Sequence, residues 1–277
     1  MKIATLKEII VRMLNGDQFP KVLMGVIKYC TRSENHTIKK LVLVFFEIVE
    51  RKSADGKLLA EMILICDAMK ANLNHANEFI RGNTLRFLTK VRDRQIIESL
   101  VADVITNLSH RHSYVRKYAA LAVHAVYEAC PDLIPDAPEL VEAFLFAEYN
   151  PAAKRNALLF LLHCDPARAL GYLNSILPTV HLLGESTLLV VLELVRKVVA
   201  STPAVKGQYL RAVHNMLSQS TSTPVVFEAA NTLVALSAAP TAVRAAVGAY
   251  CQVMTSSSDN NVKYVLWLNY SLLFHLK

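Results

Sequence analysis

The sequence predicts an all-α chain wound as a right-handed solenoid of paired helices, and three observations carry that expectation. Glycine is scarce, at 8 of 277 residues, which is under half of the roughly 7% usual in globular chains. Sheets and phosphate-binding loops need glycine for hairpins, bulges and close approaches. A side chain able to cap a helix recurs at a period of roughly 37 residues, a spacing that points to a helical repeat array. Each period also holds two apolar segments, enough for one helix pair.

The repeat is found by anchoring on Val115 and asking for the same shape elsewhere. The shape is a polar residue three before, an apolar anchor, often a base directly after it, and apolar residues four and eight later. Anchors fall at Ile38, Ile80, Val115, Ala153, Leu189, Val226 and Val262, with steps of 42, 35, 38, 36, 37 and 36 residues. Three residues ahead of them stand Asn35, Asn77, His112, Asn150, Ser186, Thr223 and Asp259. Six of these seven are side chains that accept from the free N–H groups opening a helix. His112 is the exception, and Ser113 beside it is expected to supply that cap.

The stripe behind each anchor runs Val42 and Phe46, Thr84 and Leu88, Ala119 and Val123, Ala157 and Leu161, Glu193 and Lys197, Ala230 and Val234, Leu266 and Tyr270. All but the fifth read as the apolar face of an amphipathic helix. The earlier segment of each period, such as 57–73 (KLLAEMILICDAMKANL) or 96–110 (IIESLVADVITNLSH), supplies the partner helix. One unit is then two antiparallel helices, the HEAT or armadillo design, burying its flanks against its neighbours.

The stretch His110-Arg111-His112 resembles a chemical site when read alone. In the repeat frame it occupies the turn between two helices, where other units read 74–78 (NHANE) and 257–261 (SSDNN). Zinc needs three or four ligands, and no Cys or carboxylate stands at ligand spacing from the two imidazoles. The expectation is a structural turn without a metal.

A base follows the anchor at Lys39, Arg81, Arg116, Lys154 and Lys263. A cation in the first turn of a helix is opposed by the helix dipole, so something must offset it. The candidates are a carboxylate in an adjacent repeat, forming an internal ladder, or an acidic partner along one face. Lys39, Arg81 and Arg116 are therefore candidate partner-binding residues.

Composition narrows the function classes. At 53% hydrophobic and 19% charged, the chain can bury a sizeable core. A net charge of +7 permits an acidic partner, but the bases are dispersed and no aromatic-interleaved stacking motif accompanies them, so no nucleic-acid binding is expected. Five separated cysteines, Cys30, Cys66, Cys130, Cys164 and Cys251, read as reduced core residues of a cytosolic protein. The apolar runs 41–46 and 188–192 end at Glu47 and Glu193, short of the roughly 18 residues of a membrane span. The first residues carry charges throughout, unlike a secretory signal.

Phosphate-loop, dinucleotide, nucleophile-elbow and helical zinc-pair motifs do not occur, so neither catalysis nor a cofactor is expected. Asp132 and Asp136 lie in a loop broken by Pro131, Pro135 and Pro138, and one of them is expected to begin the next helix.

With the repeats placed, the text between them carries a resemblance. The strings 35–49 (NHTIKKLVLVFFEIV), 61–68 (EMILICDA), 77–90 (NEFIRGNTLRFLTK), 110–119 (HRHSYVRKYA), 133–145 (LIPDAPELVEAFL), 154–163 (KRNALLFLLH), 232–246 (TLVALSAAPTAVRAA) and 258–263 (SDNNVK) resemble, in order, the N-terminal region of the coatomer beta-chain family. That family is related to the large chains of clathrin adaptors. The resemblance divides the chain into an adaptin-like solenoid over 1–263 and a divergent helical tail over 264–277, where YVLWLNYSLLFHLK leaves the family pattern. Family members are roughly three times longer, and the expectation is a truncated or aberrant product.

The resemblance implies a scaffold of the coat protein complex I cage. It implies pairing with the coatomer delta chain and other coat subunits, and recruitment to Golgi membranes by an Arf-family GTPase in its GTP state. In related adaptor chains the GTPase docks partly on the helix before the segment matching 79–87 (FIRGNTLRF). Aligned outward from Ile80 and Arg81, the contact positions fall at Ile63 and Cys66, whose apolar character equally suits a core. The alternative is another cytosolic HEAT-repeat adaptor, such as a nuclear transport receptor or a phosphatase scaffold.

Overall fold

Helix pairs stacked like upon like make up the chain in a computed structural model, which describes residues 1–19, 21–52 and 55–275, with side chains described as far as Leu268. In chain order the helices are α1 (Lys2–Leu14), α2 (Val22–Cys30), α3 (His36–Ile48), α4 (Ala60–Leu73), α5 (Glu78–Leu88), α6 (Arg94–Thr106), α7 (Ser113–Ala129), α8 (Ala137–Ala147), α9 (Pro151–Cys164) and α10 (Pro166–Ile176). There follow α11 (Glu185–Ser201), α12 (Lys206–Gln219), α13 (Thr223–Leu236), α14 (Pro240–Ser256) and α15 (Asn260–His275). Among the described residues the only extended pairing is one isolated bridge between Lys52 and Leu58. The fold class is therefore all-α, of HEAT or armadillo type.

Two compact units divide the chain, Met1–Phe160 and Leu161–Lys277. In the first, α1, α3, α5 and α7 pack in succession as one layer, α2, α4 and α6 as the other, and the layers meet through α4 with α5 and α6 with α7. Phe45, Phe46 and Phe87 interlock in its core, with ring centroids 5.8 and 6.4 Å apart, and α4 buries Met62, Ile65 and Met69. In the second unit α11 packs on α13, and α13 lies between α12 and α14. Val226, Ala230, Ala246, Tyr250, Val253 and Leu266 close its last layer. α15 runs without a break through residues 263 and 264.

Helix starts follow the capping pattern, with three corrections. Asn35 accepts from the amides of Thr37 and Ile38, Asn77 from Phe79, Asn150 from Ala152 and Ala153, and Asp259 from Asn261. His112 caps its own helix, its Nδ1 accepting from the amide of Tyr114 at 3.2 Å; Ser113 is the first residue inside the helix. α11 begins at Gly184, two residues before Ser186, so the buried row is Thr187, Val191 and Val195. Leu189 is only partly covered, Glu193 is exposed, and Lys197 reaches back to donate from Nζ to the carbonyl of Leu162 at 2.8 Å. The apolar template missed this register because a glycine caps the helix and a threonine is the anchor. α13 starts one residue earlier than read, after Ser222, with Val225, Ala229 and Leu233 buried.

The cysteines also divide. Cys30 and Cys130 are buried, Cys66 and Cys164 are half-buried, Cys251 is exposed, and none forms a disulfide. Position 251 falls on the outer side of α14, so the expectation of a core thiol fails there. No described helix is long and apolar enough to cross a membrane.

Beyond the end of α5, the turn 89–94 (TKVRDR) reaches both ways along the stack. Lys90 pairs back to Glu47, and Asp93 meets Arg51 and Lys52 at 3.8 and 3.7 Å. Arg92 reaches forward to Glu128 at 2.8 Å, and Arg94 to Asp132 at 3.0 Å. Asp132 is thus an ion-pair partner, while Asp136 stands at the start of α8.

Candidate partner-binding surface and the seam between repeats

Six of the seven turns leading into the second helix of a pair contain a polar residue two positions before the cap, and its side chain accepts from the cap's own N–H; the turn into α11, with Leu182 before Gly184, does not. Ser33 serves Asn35 at 3.3 Å, His75 serves Asn77 at 2.9 Å, and His110 serves His112 at 3.0 Å. Glu148 serves Asn150 at 2.8 Å, Ser220 serves Ser222 and Ser257 serves Asp259, both at 3.2 Å. His110-Arg111-His112 is one instance of this polar-x-polar pair, equivalent to Ser33-Glu34-Asn35 and His75-Ala76-Asn77. Both imidazoles spend Nδ1 on backbone donors. Burial, then the nearby Arg81 charge, lowers the His110 pKa below its ordinary value. Among the described residues no group of three His, Cys, Asp or Glu side chains could hold a metal ion.

Three of the five bases after the anchors, Lys39, Arg81 and Arg116, turn inward. Lys39, only 9% exposed, donates from Nζ to Asn72 Oδ1 at 3.2 Å and lies 3.6 Å from Glu34. Arg81 donates from Nε to the carbonyl of His75 and from its guanidinium to Asn107 Oδ1 at 3.2 Å. Buried Asn107 passes the link on, its amide donating to the carbonyls of Leu73 and Asp103. Arg116 donates to the carbonyls of His110 and Arg111 and grips both oxygens of Glu148, at 2.6 and 2.9 Å. The helix dipole is thus offset by carbonyls and by an acceptor in the following repeat. Only Arg116 meets a carboxylate of that repeat; Lys39 and Arg81 find carboxamides, which no charge-pairing rule would pick out of the sequence.

The two apolar candidates sit differently. α4 buries Met62, Ile65, Met69 and Leu73 on one face. Ile63 lies on the other, 55% exposed beside the similarly exposed Leu64, and Cys66 is half-buried at its margin. α4 thereby presents an apolar strip to solvent, one turn from the residues that hold it to the core. Sequence character could not separate strip from core, since Ile63 and Leu64 are as apolar as the buried Met62 and Ile65 on either side.

Stacked helix pairs, most of them entered through paired polar residues and three of them stitched to the next by an inward-turned base, define a helical-repeat protein. The chain belongs to the adaptin family: the family model for the adaptin N terminal region matches residues 1–273. It is 47% identical over 266 residues to coatomer subunit beta of Drosophila melanogaster, covering 96% of this chain and 28% of that protein. It is 46% identical to coatomer subunit beta of Rattus norvegicus over 265 residues and to coatomer subunit beta-2 of Arabidopsis thaliana over 267, with the same coverages. The resemblance read in the strings between repeats thus extends over nearly the whole chain, which spans under a third of those relatives. In fold, it superposes with a TM-score of 0.73 on a chain of a homology model of the full-length AP-3 complex in an intermediate open conformation. That match has 16% identity and covers 96% of this chain and 46% of the other.

Proposed function

We propose that this chain acts as a vesicle-coat scaffold, the beta-chain trunk of coat protein complex I, serving Golgi-to-ER and intra-Golgi transport without catalysing a reaction. It works in the cytoplasm and peripherally on Golgi membranes, holding the coatomer delta chain and an Arf-family GTPase in its GTP state. The observation that carries this reading is the identity to coatomer beta subunits, 43–47% along 96% of the chain.

The exposed strip at Ile63, with Leu64 and Cys66 beside it, is the proposed GTPase contact. A large apolar side chain standing free on a helix is the kind of group an interface buries. Lys39, Arg81 and Arg116 support partner binding indirectly, because their bonds set the spacing of the helices that carry the surface.

Co-expression with a delta chain, and with GTP-locked and GDP-locked GTPase, tests the reading by pull-down. Delta is captured irrespective of nucleotide, whereas the GTPase is captured only in the GTP state, since its switch segments are ordered by the γ-phosphate. Ile63→Glu abolishes GTPase capture and leaves delta capture and helicity intact. A folded chain that captures no delta defeats the coat assignment.

A further inference from the structure

The first turns of α3, α5 and α7 form a second surface that the coat reading does not use. Their first nine residues each, 36–44, 78–86 and 113–121, contain six cations, Lys39, Lys40, Arg81, Arg86, Arg116 and Lys117, and one carboxylate, Glu78. Three of the cations are consumed in the seam; Lys40 and Arg86 remain exposed. Between α3 and α5 lies a cleft of about 200 Å³, whose walls include Lys40, Leu43, Asn72, Phe79, Asn83 and Thr84 and no Asp or Glu.

Aromatic groups border the cleft in fixed positions. Phe79 is 52% exposed, yet its ring is braced by Tyr114 at 5.2 Å and by His112 at 6.3 Å between centroids. Tyr114 is itself held by Tyr118 at 5.0 Å and by a hydrogen bond from its hydroxyl to Asn83 Oδ1 at 3.2 Å. The Tyr114 ring occupies the space above Gly82, where a Cβ would lie 2.3 Å from Cε1. Lys117 places its ammonium over both tyrosine rings, 5.1 and 4.6 Å from their centroids. An exposed ring that is already immobilised loses little entropy when covered. With Asn83 Oδ1 fixed, its amide donors stand ready for a backbone carbonyl.

We propose that this cleft docks a short acidic peptide segment of a partner protein, with carboxylates meeting Lys40, Arg86 and Lys117 and one apolar side chain covering Phe79. Charge complementarity selects an anionic occupant. The recessed shape and the amide of Asn83 select a peptide chain over a flat anionic membrane.

The test uses the whole chain and a fluorescein-labelled heptapeptide of three acidic residues either side of a phenylalanine, read by anisotropy at low salt. A matched peptide with every carboxylate replaced by its amide, and phosphatidylcholine vesicles with and without phosphatidylserine, complete the set. The acidic peptide binds, the amide peptide binds at least roughly tenfold more weakly, and affinity falls as salt screens the charges. Phe79→Ala and Lys40→Glu each weaken binding severalfold with unchanged circular dichroism, whereas Lys7→Glu, the same charge change on exposed α1, does not. Equal binding of the two peptides, an equal loss in Lys7→Glu, or binding of the phosphatidylserine vesicles with no binding of the acidic peptide would each overturn the proposal.

Discussion

Arg116 and Glu148 lock two successive repeats together: the guanidinium of one holds both oxygens of the other at 2.6 and 2.9 Å, with the Glu148 side chain 1% exposed. Glu148 Oε1 also accepts from the amides of Tyr149 and Asn150, both at 2.8 Å. One carboxylate therefore closes the seam and opens α9. Removing Arg116 strands a buried charge, so Arg116→Ala costs about 3–5 kcal/mol. Arg116→Lys recovers little, because an ammonium cannot reproduce the two-point grip. Urea unfolding read by circular dichroism measures both.

Acid should weaken the same seam. Burial pushes the Glu148 carboxyl up, but the hydrogen bonds from Arg116 and from the Asn150 and Tyr149 amides outweigh it and hold the group below its ordinary value of 4.5. The folded state then binds fewer protons than the unfolded one at this site. Its stabilisation is complete above about pH 4.5 and is lost as pH falls through the lowered folded value. In Glu148→Gln that part of the acid dependence disappears, giving a flatter curve of stability against pH at lower overall stability. An unchanged slope in the variant would contradict the assignment.

The doubled cap predicts that His110 is replaceable by a residue of quite different chemistry. Serine does the same task at positions 33, 220 and 257, so His110→Ser retains near-wild-type stability. His110→Ala loses about 1 kcal/mol, the worth of one hydrogen bond at a helix entrance. Neither variant alters the response of the melting temperature to added zinc. Zinc stabilisation of the wild type that vanishes in His110→Ser would mean that the turn has metal chemistry after all.

Gly82 is a helical glycine whose replacement should not stabilise, although alanine is the better helix former by about 1 kcal/mol. The added methyl would collide with the Tyr114 ring, 2.3 Å from Cε1, and that ring is pinned by Phe79, Tyr118 and Asn83. Gly82→Ala is expected to cost roughly 1–3 kcal/mol, as overpacking does. In the Tyr114→Ala background the same change becomes neutral or favourable, a coupling that a double-mutant cycle reads directly.

Much of this architecture was legible because its cause is local. Asn35, Asn77, Asn150 and Asp259 cap helices by contacts within three residues, and the rows behind them alternate at helical spacing. Repeat five slipped by two residues because Gly184 and Thr187 satisfy the backbone and the core without resembling a cap and an apolar anchor, and repeat six by one because Ser222 and Thr223 are both capping types and Val225 and Val226 are both apolar. The cross-repeat partners were invisible for another reason. Asn72, Asn107 and Glu148 lie 33, 26 and 32 residues from the bases they meet, and nothing in an asparagine advertises that it will be buried against a cation. The polar-x-polar pairs, by contrast, were present in every quoted turn, and aligning the turns two residues further upstream would have exposed them.

The two ends of α5, about 16 Å apart by helical rise, are fastened by opposite kinds of bond. At its entrance, Arg81 meets the neutral carboxamide of Asn107 in a half-buried stitch; at its exit, Lys90, Arg92, Asp93 and Arg94 hold their neighbours through largely surface charge pairs. Screening shortens the reach of the second set and leaves the first almost untouched. The first unit is therefore mechanically lopsided, a fan with a rigid rivet line along one margin and an elastic margin along the other. Added salt should let the elastic margin spread, seen as faster amide exchange across residues 89–94 while the opening turn of α7 keeps its protection. Bending stiffness in this stack thus has a direction, and ionic strength tunes only one side of it.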